Sequence, residues 1–261
     1  MQILYNVLNK KDNIYCQRVF APAPDMEELM RQEGVPLFTL ETKTPINEMD
    51  FVGFTLQYEM SYTTVLNMMD LGNIPLCSRD RGEDLPIIAA GGPCAYNPEP
   101  LADFIDIFVI GDGENALPDL LDKYAQCKKA GMSKIEFLKE ACRMEGIYVP
   151  SFYEPEYNPD GTIKKICKLY DEAPASVLRA ILPDTESADF PVNPLIPIIE
   201  AVHDRAVVET FRGCTRGCRF CQAGIIYRPV RERSKDTVIK LAKAQLANTG
   251  HDELSLLSLS T

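Results

Sequence analysis

Apolar runs that end in glycine alternate with amphipathic helices through the first half of the chain, and this rhythm narrows the folds open to it. "DFVGFTLQ" (50–57), "LPIIAAGGP" (85–93) and "FIDIFVIGDGE" (104–114) read as buried strands, and "IYCQRVFA" (14–21) as a further strand. Between them, "PDMEELMRQEG" opens with Pro24 and Asp25 and closes with Gly34. "SYTTVLNMMDLG" takes Ser61 as its N-cap and Gly72 as its stop, and "NALPDLLDKYAQCKKAG" follows the last strand. Strands alternating with helices at this spacing predict an α/β fold with a parallel sheet covered on both faces. Ligands of such sheets lie at the carboxyl ends of the strands. There, Gly91 and Gly92 permit close approach of a flat ligand, while Gly111, Gly113 and Glu114 occupy a strand-to-helix turn that can receive an anion. A tight turn without any ligand explains each of these glycines equally well.

Past Gly146 the pattern changes. "GIYVPSFYEPEYNPDGTIKKICKLYD" predicts two extended segments around the turn Asn158-Pro159-Asp160-Gly161. Proline-bearing text from Glu172 to Pro197 predicts a linker. Beyond it, "IPIIEAVHDRAVVETFRG" reads as a strand, "SKDTVIKLAKAQLANTG" as a capped helix and "DELSLLSLST" as another strand, the opening of a parallel β/α barrel. The expected divisions are therefore 1–145, a hairpin and linker over 146–197, and 198–261.

Between the strand and helix of this last part lies "FRGCTRGCRFCQAG", with Cys214, Cys218 and Cys221 in the pattern CxxxCxxC. A structural zinc site takes four N or S ligands, its cysteines usually in CxxC pairs, and the chain's two histidines are His203 and His251. A catalytic nucleophile would need one cysteine and a base. Three thiolates on a glycine-softened loop suit three irons of a 4Fe-4S cluster, leaving the fourth iron open to a small ligand. The other six of the nine cysteines stand singly, as buried reduced thiols do.

With 261 residues, 46% of them hydrophobic, the chain is long enough for one large or two ordinary domains. No apolar run spans a membrane and the start lacks a signal peptide's features, so a cytoplasmic protein is expected. The net charge of -11 argues against general nucleic-acid affinity. Yet residues 203–243 hold ten Lys or Arg against four Asp or Glu. That basic patch either offsets the charge of an anionic cluster or meets an anionic ligand or phosphate backbone.

The CxxxCxxC run with Phe220 directly before its last cysteine resembles the motif of the radical S-adenosylmethionine (radical SAM) superfamily. "PIIAAGGPCAYNPEPLADFIDIFVIGDGE", "YVPSFY", "VHDRAVVETFRGCTRGCRFCQAGIIYRPVRERS" and "DELSLLSLST" resemble, almost end to end, a poorly characterised bacterial family. That family joins a Rossmann-like, cobalamin-binding-type domain to a radical SAM barrel of TIM-like (β/α) architecture. By this resemblance the chain is a fragment, expected to lack a first strand before Met1 and most of the barrel beyond Thr261. It departs from some cobalamin proteins in having no DxHxxG motif to supply an axial histidine.

The resemblance implies that Cys214, Cys218 and Cys221 bind the 4Fe-4S cluster and that its open iron chelates S-adenosylmethionine. Reductive cleavage then starts radical chemistry on an unidentified substrate, cobalamin-dependent methyl transfer being one instance. An electron donor such as flavodoxin or ferredoxin is the implied partner. Gly213 and Gly217 would let the loop wrap the cluster, and Phe220 would lie against the adenine or else pack in the core. The alternative is a non-catalytic iron–sulfur module with a structural or redox-sensing role.

Overall fold

The computed structural model describes residues 1–198 and 204–260. Its helices, in chain order, are α1 (Gln2–Leu8), α2 (Pro24–Glu33), α3 (Tyr62–Leu71), α4 (Gly113–Lys129), α5 (Lys134–Ala141), α6 (Ala223–Ile226) and α7 (Lys235–Thr249). Its strands are β1 (Phe51–Thr55), β2 (Ile87–Gly91), β3 (Ile107–Val109), β4 (Ile147–Tyr148), β5 (Tyr153–Tyr157), β6 (Ile163–Lys168), β7 (Ala206–Glu209), β8 (Phe211–Arg212), β9 (Arg231–Glu232) and β10 (Leu254–Leu257). They form two compact units, residues 15–180 and residues 1–14 with 181–261.

The unit 15–180 is a mixed α/β structure around a sheet ordered β1-β2-β3-β4, the first three strands parallel and β4 antiparallel. The pleat sends successive side chains to opposite faces, and here both faces are buried. Ile88, Ala90 and Phe108 join Val52 and Phe54 in one core with Met30 of α2 and Met68 of α3. Ile87, Ala89, Ile107 and Val109 join the other with Leu120 of α4 and Phe137 of α5. The continuous apolar runs of β2 and β3 are thus the expected consequence of helices on both sides.

Two local expectations are corrected. Residues 14–21 join no sheet among the described residues; Arg18 instead donates to the Glu41 carboxylate at 2.7 Å, and its carbonyl accepts from the Leu40 N–H. Ser61 stands at the N-cap position of α3 as expected but makes no side-chain capping bond; its hydroxyl donates to the Tyr58 carbonyl at 2.6 Å. Gly72 does end α3 as expected, though at a φ of -85°, outside the left-handed region, and its missing side chain leaves room for Ile46. The turn over 158–161 does form, joining β5 to β6, with Gly161 at a φ of 82° and the Asp160 carboxylate accepting from the Thr162 hydroxyl at 2.6 Å.

In the second unit β7 and β10 are parallel neighbours, with α7 between them in the chain. Ser234 caps α7 by accepting from the Thr237 N–H at 3.1 Å, and Gly250 ends it in the left-handed conformation. Buried Gln245 fixes the helix to the sheet: its Oε1 accepts from the Val207 N–H at 3.1 Å and its Nε2 donates to the Pro191 carbonyl at 2.8 Å. The N-terminal helix α1 belongs here too, through Asn6 and Lys10 on the carboxylate of Asp189. Part of the expected strand 196–213 lies outside the described residues.

Candidate functional site: the cysteine loop

The loop carrying the cysteines leaves the carboxyl end of β7. Thr210, the next residue, donates its N–H to the Leu257 carbonyl at 2.9 Å, which ties the exit to the end of β10. Two residues on, β8 pairs antiparallel with β9, so residues 213–230 form a closed loop on a two-rung stem. Gly213 sits at the stem with a φ of 97°, and a side chain there would stand 2.7 Å from the carbonyl oxygens of Tyr227 and Pro229. Glycine is therefore needed for closure. Gly217, at a φ of 67°, has no neighbour within 4 Å of where a side chain would start, so the loop is open on that side.

All three cysteines are free thiols; Cys214 is partly buried and Cys218 and Cys221 are exposed. The Cys221 N–H donates to the Cys218 carbonyl at 3.1 Å, giving a tight turn, and the Arg216 N–H points at Cys214 Sγ at 3.5 Å. Phe220 is 93% exposed, so it packs in no core here. Among the described residues no three His, Cys, Asp or Glu side chains are gathered as a metal site. The donor set nevertheless suits an iron–sulfur cluster: three unoxidised thiols on one loop, two exposed, on a backbone free to adjust at Gly217.

Much of the basic patch is used within the fold. Arg212 makes a two-pronged pair with Glu209, Nε to Oε1 at 3.1 Å and Nη2 to Oε2 at 3.0 Å. Buried Arg231 donates to the Leu182 carbonyl at 2.8 Å, and buried Arg233 donates to the Thr185 carbonyl and faces the Phe190 ring. Arg216 donates from Nε to the Ser260 hydroxyl at 2.8 Å.

In the other unit, Gly91 and Gly92 close β2 while Gly111 follows β3, the adjacent parallel strand. Gly113 is the first residue of α4, and Glu114 lies in its first turn. The chain's own backbone approaches two of these glycines. A side chain on Gly92 would come within 2.8 Å of the Leu56 carbonyl, and one on Gly111 would strike Ala180, which bridges to it in parallel register. Sequence reasoning missed a polar pair, Tyr148 donating to Glu99 at 2.6 Å. Burial and the neighbouring carboxylate hold that phenol far above its ordinary value. The two partners lie 49 residues apart, and no local pattern announces them.

The family description "Radical SAM proteins, N-terminal" matches residues 1–150, more than half of the chain. The chain belongs to this radical SAM family. It is also 25% identical, over 253 residues, to an uncharacterized protein of Methanocaldococcus jannaschii, an alignment covering 96% of this chain and 47% of that protein. The chain thus spans about half the length of that relative. Radical SAM proteins as a family use S-adenosylmethionine and a 4Fe-4S cluster, the cofactors that three closely spaced thiols can serve. No helix among the described residues is long and apolar enough to cross a membrane.

Proposed function

We propose that the chain is part of a radical SAM enzyme in which Cys214, Cys218 and Cys221 hold a 4Fe-4S cluster. The observation that carries this reading is three free thiols on one loop at the carboxyl ends of two parallel strands, in a chain of the radical SAM family. When bound, the cluster and S-adenosylmethionine supply one-electron cleavage of a carbon–sulfur bond, which starts radical chemistry on a substrate. The protein's part is to root the loop through Gly213 and the β8–β9 stem, to leave Gly217 free to adjust, and to place exposed Phe220 beside the thiols, where its ring can cover an adenine. A small electron-transfer protein, flavodoxin or ferredoxin, would approach this exposed face.

Cobalamin fits less well. The space left by the absent side chains of Gly92 and Gly111 is taken by Leu56 and Ala180, so packing within the unit accounts for both glycines.

The test is anaerobic reconstitution of the full chain with iron and sulfide. Close to four irons per chain, lost in Cys218→Ala and retained in Cys142→Ala, supports the cluster, whereas stoichiometric zinc in protein purified without oxygen refutes it. The same motif in the complete protein should release methionine from S-adenosylmethionine under a reductant. Cluster binding without that release favours the structural or redox-sensing module.

A further inference from the structure

The stem fixes only the root of the cysteine loop. Beyond Gly213 the chain carries exposed Cys218 and Cys221 past Gly217, which has open space around it. One side chain in this stretch reaches back to the sheet. Arg216 lies between the first two cysteines, its Nε 2.8 Å from Ser260 Oγ, and Ser260 follows β10 by three residues. Since β10 runs parallel to β7 with Leu257 opposite Glu209, this bond joins the loop leaving one strand to the end of its neighbour. The main-chain N–H of the same residue points at Cys214 Sγ.

We infer that Arg216 is a positioning residue, latching the cysteine loop to the end of β10 and aiming its own N–H at the Cys214 sulfur. The inference rests on the cluster reading for its purpose, though the latch itself is a property of the cluster-free chain. Arginine suits the task chemically. Its long stem spans from loop to strand, and its guanidinium donates in a fixed geometry to the Ser260 hydroxyl while its main-chain N–H faces Cys214 Sγ. Arg212, Arg231 and Arg233 already serve Glu209 and main-chain carbonyls, so they do not duplicate this contact. A solvated surface arginine, the competing account, would leave loop and strand independent.

Hydrogen exchange on the cluster-free full chain separates the two accounts. Ser260→Ala alters nothing in the loop's own sequence, yet it should speed exchange of the amides of residues 214–222 by roughly five- to tenfold, the scale of one solvent-accessible hydrogen bond. Arg216→Ala should do the same, the double variant should add nothing further, and Arg216→Lys should recover part of the protection. After reconstitution, loss of iron to a chelator should quicken by a similar factor in Arg216→Ala and Ser260→Ala. Unchanged loop exchange in Ser260→Ala, or additive effects in the double variant, overturns the latch. Coupled exchange in a chain that takes up no iron keeps the latch and removes the cluster reading, so the two fail separately.

Discussion

Ala180 lies against Gly111 so closely that a methyl group on the glycine would stand 2.1 Å from the Ala180 carbonyl oxygen. The Ala180 N–H donates to the Ile110 carbonyl and the Asp112 N–H to the Ala180 carbonyl, both at 2.9 Å, so the glycine is enclosed by a short ladder. Gly111→Ala meets both a positive φ of 111° and this steric block. We expect it to cost about 2–4 kcal/mol, against ~1 kcal/mol for Gly161→Ala, which meets a positive φ but no neighbour. Urea unfolding of both variants measures the gap, and equal costs would mean that the bridge to Ala180 contributes nothing.

Arg81 and Asp106 meet at 2.9 Å with side chains only 0% and 3% exposed, and Lys134 stands 3.0 Å from the other carboxylate oxygen. The Asp106 carboxylate also accepts from the Ile88 N–H at 2.8 Å, so it anchors the start of β2. Asp106→Asn strands a buried guanidinium and should destabilise by about 3–5 kcal/mol. In a double-mutant cycle, Arg81→Met with Asp106→Leu should lose much less than the sum of the single losses. Additive losses would refute a coupled pair.

Thiol chemistry should divide the cysteines by burial. Burial pushes the thiols of Cys94, Cys127 and Cys142 above their ordinary value of 9.0, which thins the thiolate at any given pH, and solvent hardly reaches them. Iodoacetamide on the folded, cluster-free chain at neutral pH should therefore mark Cys218 and Cys221 first. Mass spectrometry that found Cys127 or Cys142 labelled as fast would contradict the packing around α4 and α5.

The Glu186 carboxylate accepts from the side chain and N–H of Ser234 and from the Thr237 hydroxyl at the start of α7. The Ser234 and Thr237 hydroxyls, then the Ser234 N–H, hold its pKa below the ordinary 4.5. A carboxyl depressed on folding stabilises fully above its unfolded value and loses that contribution as pH falls through the folded one. Glu186→Gln should therefore flatten the pH dependence of stability only below the ordinary value of 4.5. An identical acid limb in both proteins would show that the bonds to α7 are not held in solution.

The core of the main sheet was readable because β2 and β3 lie in unbroken apolar runs, and glycines close β2 and follow β3. That pattern has one economical solution, a strand buried on both faces. Helix ends were readable where glycine closed them, in the left-handed conformation at Gly34 and Gly250 and without it at Gly72, where the glycine also makes room for Ile46. The cysteine order was plain, but the stem that closes the loop was not. β8 and β9 have two residues each, too few for any periodicity, and Glu209 with Arg212 reads as unremarkable charge until the strand ends beneath them. Helix α1 escaped notice as well, since Met1 makes no side-chain cap bond and the carboxylate that holds the helix, Asp189, lies far along the chain.

That distance bears on how the molecule is born. Asn6 and Asp189 are 183 residues apart, so on a ribosome adding ~5–20 residues per second α1 emerges roughly 10 to 40 seconds before its anchor exists. Every strand of the first sheet is synthesised within that interval, and residues 15–180 can fold while the opening helix waits. Completion of the second unit is thus timed by translation, and a pause before residue 189 would prolong the period in which Leu8, buried once α1 is docked, is uncovered.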